Sequence, residues 1–229
     1  ITQNMGIESE GFFYREQLER QGKMNERFAF GEVRTQSQEY KEDVGALARK
    51  HDRDNPITLA EAVEIIKRYQ PFEPDRRVPQ DPKNPTKSFP NSLRQEIAKQ
   101  LQQENVYFWT AVGSIVDKDF AADGIIEVPG RTEQEQSHLV RLDLSISDEK
   151  LTEYDLRRQD FKREGRYRSR EDEERFRDRV VIGEVPDVIE NPRQYAMMIG
   201  DVASQVVGKL GLAPAAAKVG RVLRVTEQQ

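Results

Sequence analysis

Asp123-Gly124-Ile125-Ile126-Glu127 and Val140-Arg141-Leu142-Asp143-Leu144-Ser145 are the two stretches on which the reading of this chain turns. In the second, Leu139, Arg141, Asp143 and Ser145 alternate with Val140, Leu142, Leu144 and Ile146, the period of a strand with two unlike faces. The first is a short apolar strand, Gly124–Val128, with an acid at its mouth. Aspartate is depleted from strands and costly to bury unless it is paired or holds a metal. If the two strands form a hairpin, Asp123 and Asp143 come to the same end of neighbouring strands. Two carboxylates converging there, with backbone carbonyls nearby, make an oxygen-only site suited to Mg²⁺ or Mn²⁺. Such an ion would activate water and polarise a phosphodiester.

Working outward, Ser92–Glu104 reads as a helix with Leu93, Ile97 and Leu101 on one face, and Val106–Val116 as a first β-rich run. Beyond the two acid-bearing strands, residues 148–179 hold 11 acids and 11 bases. Then come the apolar run Val180–Val185 and a helix from Pro192 to Leu210, with proline near its first turn. The order is helix, three strands, charged helical segment, strand, helix.

Upstream, six of the 11 prolines fall between Pro71 and Pro90, so this stretch reads as a linker or a strap over a surface. Before it, Phe12, Phe13, Leu18, Phe28 and Phe30 are too sparse to close a core. The clearest upstream helix is Thr58–Gln70, where Thr58 and Glu61 have capping-box spacing. Alone it cannot fold, so it docks on the downstream domain or on another chain. The expected organisation is a polar, mostly helical arm (1–70), a proline-rich linker (71–90), an α/β domain (91–212) and a tail (213–229). The arm points to a protein partner engaging residues 1–90, in a homo- or hetero-oligomer.

The whole chain has 229 residues, a formal charge of −5, 36% hydrophobic and 34% charged residues, and a mean hydropathy of −0.82. The apolar content is low for a globular domain and the polarity is concentrated in the arm, the linker and the charged segment. No apolar run approaches a membrane helix, and no signal-peptide pattern opens the sequence, so a cytoplasmic location (or one within a phage particle) is expected. The start at Ile1 suggests a trimmed product. Zero cysteines exclude disulfides, thiolate zinc and cysteine nucleophiles, and two histidines exclude a His-rich metal centre. His51 lies in a polar stretch and reads as exposed; His138 opens a strand without a partner histidine.

In this order of elements the chain resembles the PD-(D/E)xK nuclease superfamily. Its members share a core of helix, three strands, helix, strand, with an acid opening the second strand and an acid-x-lysine on the third. The resemblance spans about residues 91–210 and implies a restriction-endonuclease-like α/β core. It further implies a Mg²⁺- or Mn²⁺-dependent nuclease acting on or binding DNA. Asp123 matches the first acid, Asp143-Leu144-Ser145 the (D/E)-x-K place, and Glu96 the acid some members contribute from the preceding helix. Asp123, Asp143 and the Leu144 carbonyl would hold the ion. Ser145 stands where the family has lysine, and the nearest candidate to position or activate water is Lys150.

Other readings of the same residues stay open. Asp143 is equally a structural acid paired with Arg141 or another arginine; Asp123 is equally a turn residue before Gly124. Asp117 and Asp119 read as turn residues between strands, and Glu96 as an exposed helix acid. Residues 157–170 carry Arg157, Arg158, Lys162, Arg163, Arg166, Arg168 and Arg170 against two acids, interleaved with Phe161 and Tyr167. They suit phosphate contact and base stacking, or else a solvated, ion-paired segment. The missing lysine supports an alternative of a different class: a catalytically degenerate nuclease fold serving assembly, for example in a phage particle or mobile-element complex. A third is a non-enzymatic nucleic-acid binder using the 157–170 arginines.

Overall fold

A computed structural model of the chain describes residues 25–52, 54–130, 135–145, 156, 177–183 and 185–211. The period-2 stretches form a four-stranded mixed sheet in the order β1 (Tyr107–Thr110), β2 (Gly124–Val128), β3 (His138–Leu144), β4 (Arg179–Ile182). The first three strands run as an antiparallel meander and β4 lies parallel to β3. With helices on both faces, the chain is mixed α/β. Lys150 and the 157–170 arginines lie outside the described residues, as does nearly all of the charged segment.

Alternation on β3 sorts the sheet into two faces. Phe108, Ile126, Val140, Leu142, Leu144, Val180 and Ile182 form one, packed against α3 (Ser88–Leu101) and α5 (Pro192–Leu210). Tyr195, Ile199, Val202 and Val206 recur at helical spacing along α5 and turn inward together. On the other face, Ile125 packs with α1 (Gln38–Ala48), α2 (Leu59–Arg68) and the short α4 (Ile115–Phe120). β2 is buried along its whole length, as expected for a strand covered on both sides.

Several expectations shift in detail. The first β run stops at Thr110: Gly113 adopts a left-handed φ of +81°, and Ser114 caps α4 by accepting the Val116 N–H at 3.1 Å. Asp117 and Asp119 therefore sit on a helix, not in a turn. The helix expected from Ser92 starts at Ser88, with Pro90 within its first turn, where its missing N–H costs nothing. α2 carries the full capping box, Thr58 and Glu61 bonding each other's backbone N–H.

Residues 25–90 close a core within the chain. Phe30 is fully buried, stacked on Phe108 (5.8 Å) and edge-on to Phe89 (5.5 Å). The backbone then crosses the β1 edge to Val33, and Tyr40 Oη accepts the Ile115 N–H at 2.8 Å. The proline-rich stretch is a strap along that edge. Phe108 N–H donates to the Pro82 carbonyl at 3.0 Å, while the buried Gln70 amide both donates to and accepts from the Thr110 backbone, each at 3.0 Å. These bonds satisfy groups that an open strand edge would offer to another chain.

Gly124 opens β2 because nothing larger fits. A Cβ there would lie 2.8 Å from the Phe108 ring, itself pinned by Phe30. Gly124→Ala is expected to destabilise the chain by about 1–3 kcal/mol through overpacking. Urea unfolding checks this, and an unchanged midpoint would contradict it.

Candidate functional site

The register of β2 and β3 brings the two sequence-predicted acids together. Gly124 pairs with Leu142, so Asp123, just before β2, comes to the end of the pair where Asp143 stands on β3, close enough for the two charges to repel. At the mouth of β2 the Asp123 N–H donates to the Leu142 carbonyl and its carbonyl accepts from the Ala111 N–H, each at 2.8 Å. Asp123 sits at a bend just before β2, two residues after Ala121 closes α4 in the left-handed conformation (φ +50°), so the turn reading of this acid holds for its backbone. Its carboxylate Oδ2 accepts the Leu144 N–H at 2.7 Å. In a strand the N–H and C=O of one residue point the same way, so the Leu144 carbonyl is aimed toward the Asp123 side as well.

Asp143 shares its face of β3 with Arg141 and Ser145, and the acid is ion-paired to Arg179, the first residue of β4. In the parallel β3–β4 ladder Arg179 lies opposite Arg141 and Asp143 opposite Val181, so the pair is a diagonal one. Arg141 pairs instead with Asp178, its Nη2 at 2.6 Å, and donates through Nη1 to the Phe120 carbonyl at 2.9 Å. Of the structural partners expected for Asp143, the other arginine is in place as Arg179. Asp123, Asp143 and Arg179 are each only 3–4% exposed, which makes this a buried polar floor.

Burial is the main reason that the Asp123 carboxyl is pushed up to about 8. The negative charges of Glu26, Asp143 and Asp117 add to the rise, and the Leu144 N–H opposes it. At neutral pH this carboxyl keeps its proton. Asp117, which joins that repulsion, is held in place by accepting the Gly113 N–H at 2.8 Å.

The other candidates lie elsewhere. α3 packs on the opposite face of the sheet, and Glu96 there bonds Lys99 (3.0 Å) and Gln100 (3.2 Å), which hold its carboxyl below the usual range. The helix acid is not brought to the pair. His51 is more covered than its polar neighbours suggest: its side chain is 11% exposed, with Nδ1 3.0 Å from the Asn55 carbonyl and Nε2 3.1 Å from Glu61. It borders an open hollow of about 460 Å³ that Asp119 and Phe120 also line. His138 is exposed at the start of β3.

Arg179, Asp178 and Glu26 were not among the residues singled out from the sequence. Arg179 carried a faint signal, standing with Asp178 where the charged segment meets an apolar strand. Glu26 carried none, being 97 residues upstream of Asp123. Among the described residues, no group of three or more Asp, Glu, His or Cys side chains is placed to hold a metal, and no helix is long and apolar enough to cross a membrane. Comparisons with protein-family models, curated proteins and solved structures find no match.

A carboxyl raised in the folded chain binds a proton that the unfolded chain has released, so the stability it confers is full below about pH 4. It is lost as pH rises toward 8. Asp123→Asn keeps an oxygen for the Leu144 N–H and removes the titration. Relative to this variant, the wild type is expected to lose stability with a slope on the order of 1 kcal/mol per pH unit across that window. Parallel stability–pH curves for the two proteins would contradict the burial of a protonated acid.

Proposed function

We propose that this chain is a nuclease-like domain acting on or binding DNA, with Asp123, Asp143 and the Leu144 carbonyl as the place for one Mg²⁺ or Mn²⁺ ion. The observation that carries the reading is the nearness of two buried carboxylates, one just before β2 and one on β3, with Glu26 and Asp117 adding to the negative field. Part of the order of elements supports it: a helix precedes three antiparallel strands, with the short α4 between the first two, and β4 and α5 follow beyond the charged segment. The donor set suits magnesium, which is commonly held by one or two carboxylates with water and substrate phosphates completing the shell.

Such an ion supplies charge that polarises a phosphodiester and lowers the pKa of water. The chain's own residues do the rest. The Leu144 N–H fixes the rotation of the Asp123 carboxyl, which must give up its proton before it can serve as a ligand. The β2–β3 ladder sets the spacing of the two acids. Lys150 for water, and the arginines between 157 and 170 for phosphates, complete the proposal.

One observation favours a second reading. Asp143 is closed by Arg179, and Ser145 offers no ammonium, as expected if the acid pair has become a structural network in a degenerate nuclease fold used for assembly. The two readings separate in one experiment. Under the first, the full chain nicks plasmid or single-stranded DNA with Mg²⁺ or Mn²⁺, and Asp143→Asn lowers the rate about 100-fold or more. Absence of cleavage on every form of DNA, together with absence of metal binding by calorimetry, would leave the assembly reading.

A further inference from the structure

We propose that Arg179 is the resident cation of the Asp123–Asp143 site: it neutralises Asp143 when no metal is bound, and faces the substrate phosphate when metal takes the carboxylates. This inference rests on the metal-site reading above and assigns a residue that the sequence motif does not contain. Two carboxylates and a phosphodiester gather negative charge in a buried place, and each needs a positive partner there. β3 does not supply it, because the residue two places after Asp143 is Ser145, on the same face and itself buried. β4 does supply it. Arg179 reaches diagonally across the parallel ladder to the Asp143 carboxylate. Arg141, the other cation on this face, is committed to Asp178 and the Phe120 carbonyl.

Arginine suits this double duty and differs from lysine in a testable way. Its planar fork matches carboxylate and phosphate oxygens equally well, and it does not lose its proton in proteins. Arg179 therefore acts through charge and position and takes no part as a base. Because Arg179 and a divalent cation compete for Asp143, removing the guanidinium has opposite effects on two measurements: metal binds more tightly, and cleavage slows. A residue that merely held the fold together would weaken both.

The experiment titrates MnCl₂ into the full chain, followed by calorimetry, and measures plasmid cleavage in parallel. The proteins are wild type, Arg179→Met, Arg179→Lys and the double variant Ser145→Lys/Arg179→Met, with circular dichroism reporting the fold. For Arg179→Met the Mn²⁺ dissociation constant is expected to fall at least about fivefold, while the cleavage rate falls about 100-fold. Arg179→Lys, which keeps the charge, should retain Mn²⁺ affinity close to wild type and part of the cleavage. It also reads the role of the charge should the Met variant not fold. Ser145→Lys, moving the charge to β3, should recover at least about tenfold of the lost rate. Binding and cleavage that change together, or not at all, in folded Arg179 variants would overturn the assignment while leaving the metal site standing. If neither wild type nor any variant binds Mn²⁺, the metal-site reading itself is wrong and this inference falls with it.

Discussion

Everything at the candidate site depends on one constraint: two aspartates are buried across the β2–β3 pair, and each must be satisfied without water. The chain meets this in two different ways. Asp123 is relieved by keeping its proton and accepting one backbone N–H from Leu144. Asp143 stays within reach of a full positive charge from Arg179. The buried acids are thus neutral in one case and compensated in the other, which is how a sheet face this polar coexists with an apolar core on the other side.

That arrangement depends on the framework around it. Gly124 lets β2 press against Phe108, and Phe108 in turn is held by Phe30 and by the strap that caps the sheet edge. The register set here decides that Asp123 meets Asp143. A slip of β3 by one residue would turn Asp143 into the α3–α5 core and part it from Asp123. The N-terminal residues from 25 onward, which looked too sparse to pack, contribute single large side chains at well-chosen points and owe their order to the sheet. The internal core accounts for the sparse apolar pattern of residues 25–90.

Much of this fold was legible because its signals are local. The alternation of Leu139–Ile146 named both faces of β3, the Thr58–Glu61 spacing named the cap of α2, and the apolar repeat after Pro192 named α5 with its bounds. Legibility failed where long-range contacts decide. Whether Phe28 or Phe30 is inside (the first is 79% exposed, the second fully buried) follows from the stack on Phe108, 78 residues further along. At the site, both acids were visible as costly residues in apolar strands, but their partners were not. Arg179 reaches Asp143 only through a parallel pairing formed after a long crossover, and Glu26 joins through the N-terminal segment. Helix membership alone pointed to Glu96, whereas the packing side of α3 sends it to the far face.

We have proposed a cation site at the Asp123–Asp143 pair, with Arg179 as its resident charge. A crystal structure of the full chain soaked with MnCl₂ at pH 8, read by its manganese anomalous signal, tests it most directly. The expected result is a peak bound to oxygens of both aspartates, with the Arg179 guanidinium moved off Asp143. An empty map at that position, with Arg179 still paired to Asp143, would contradict it.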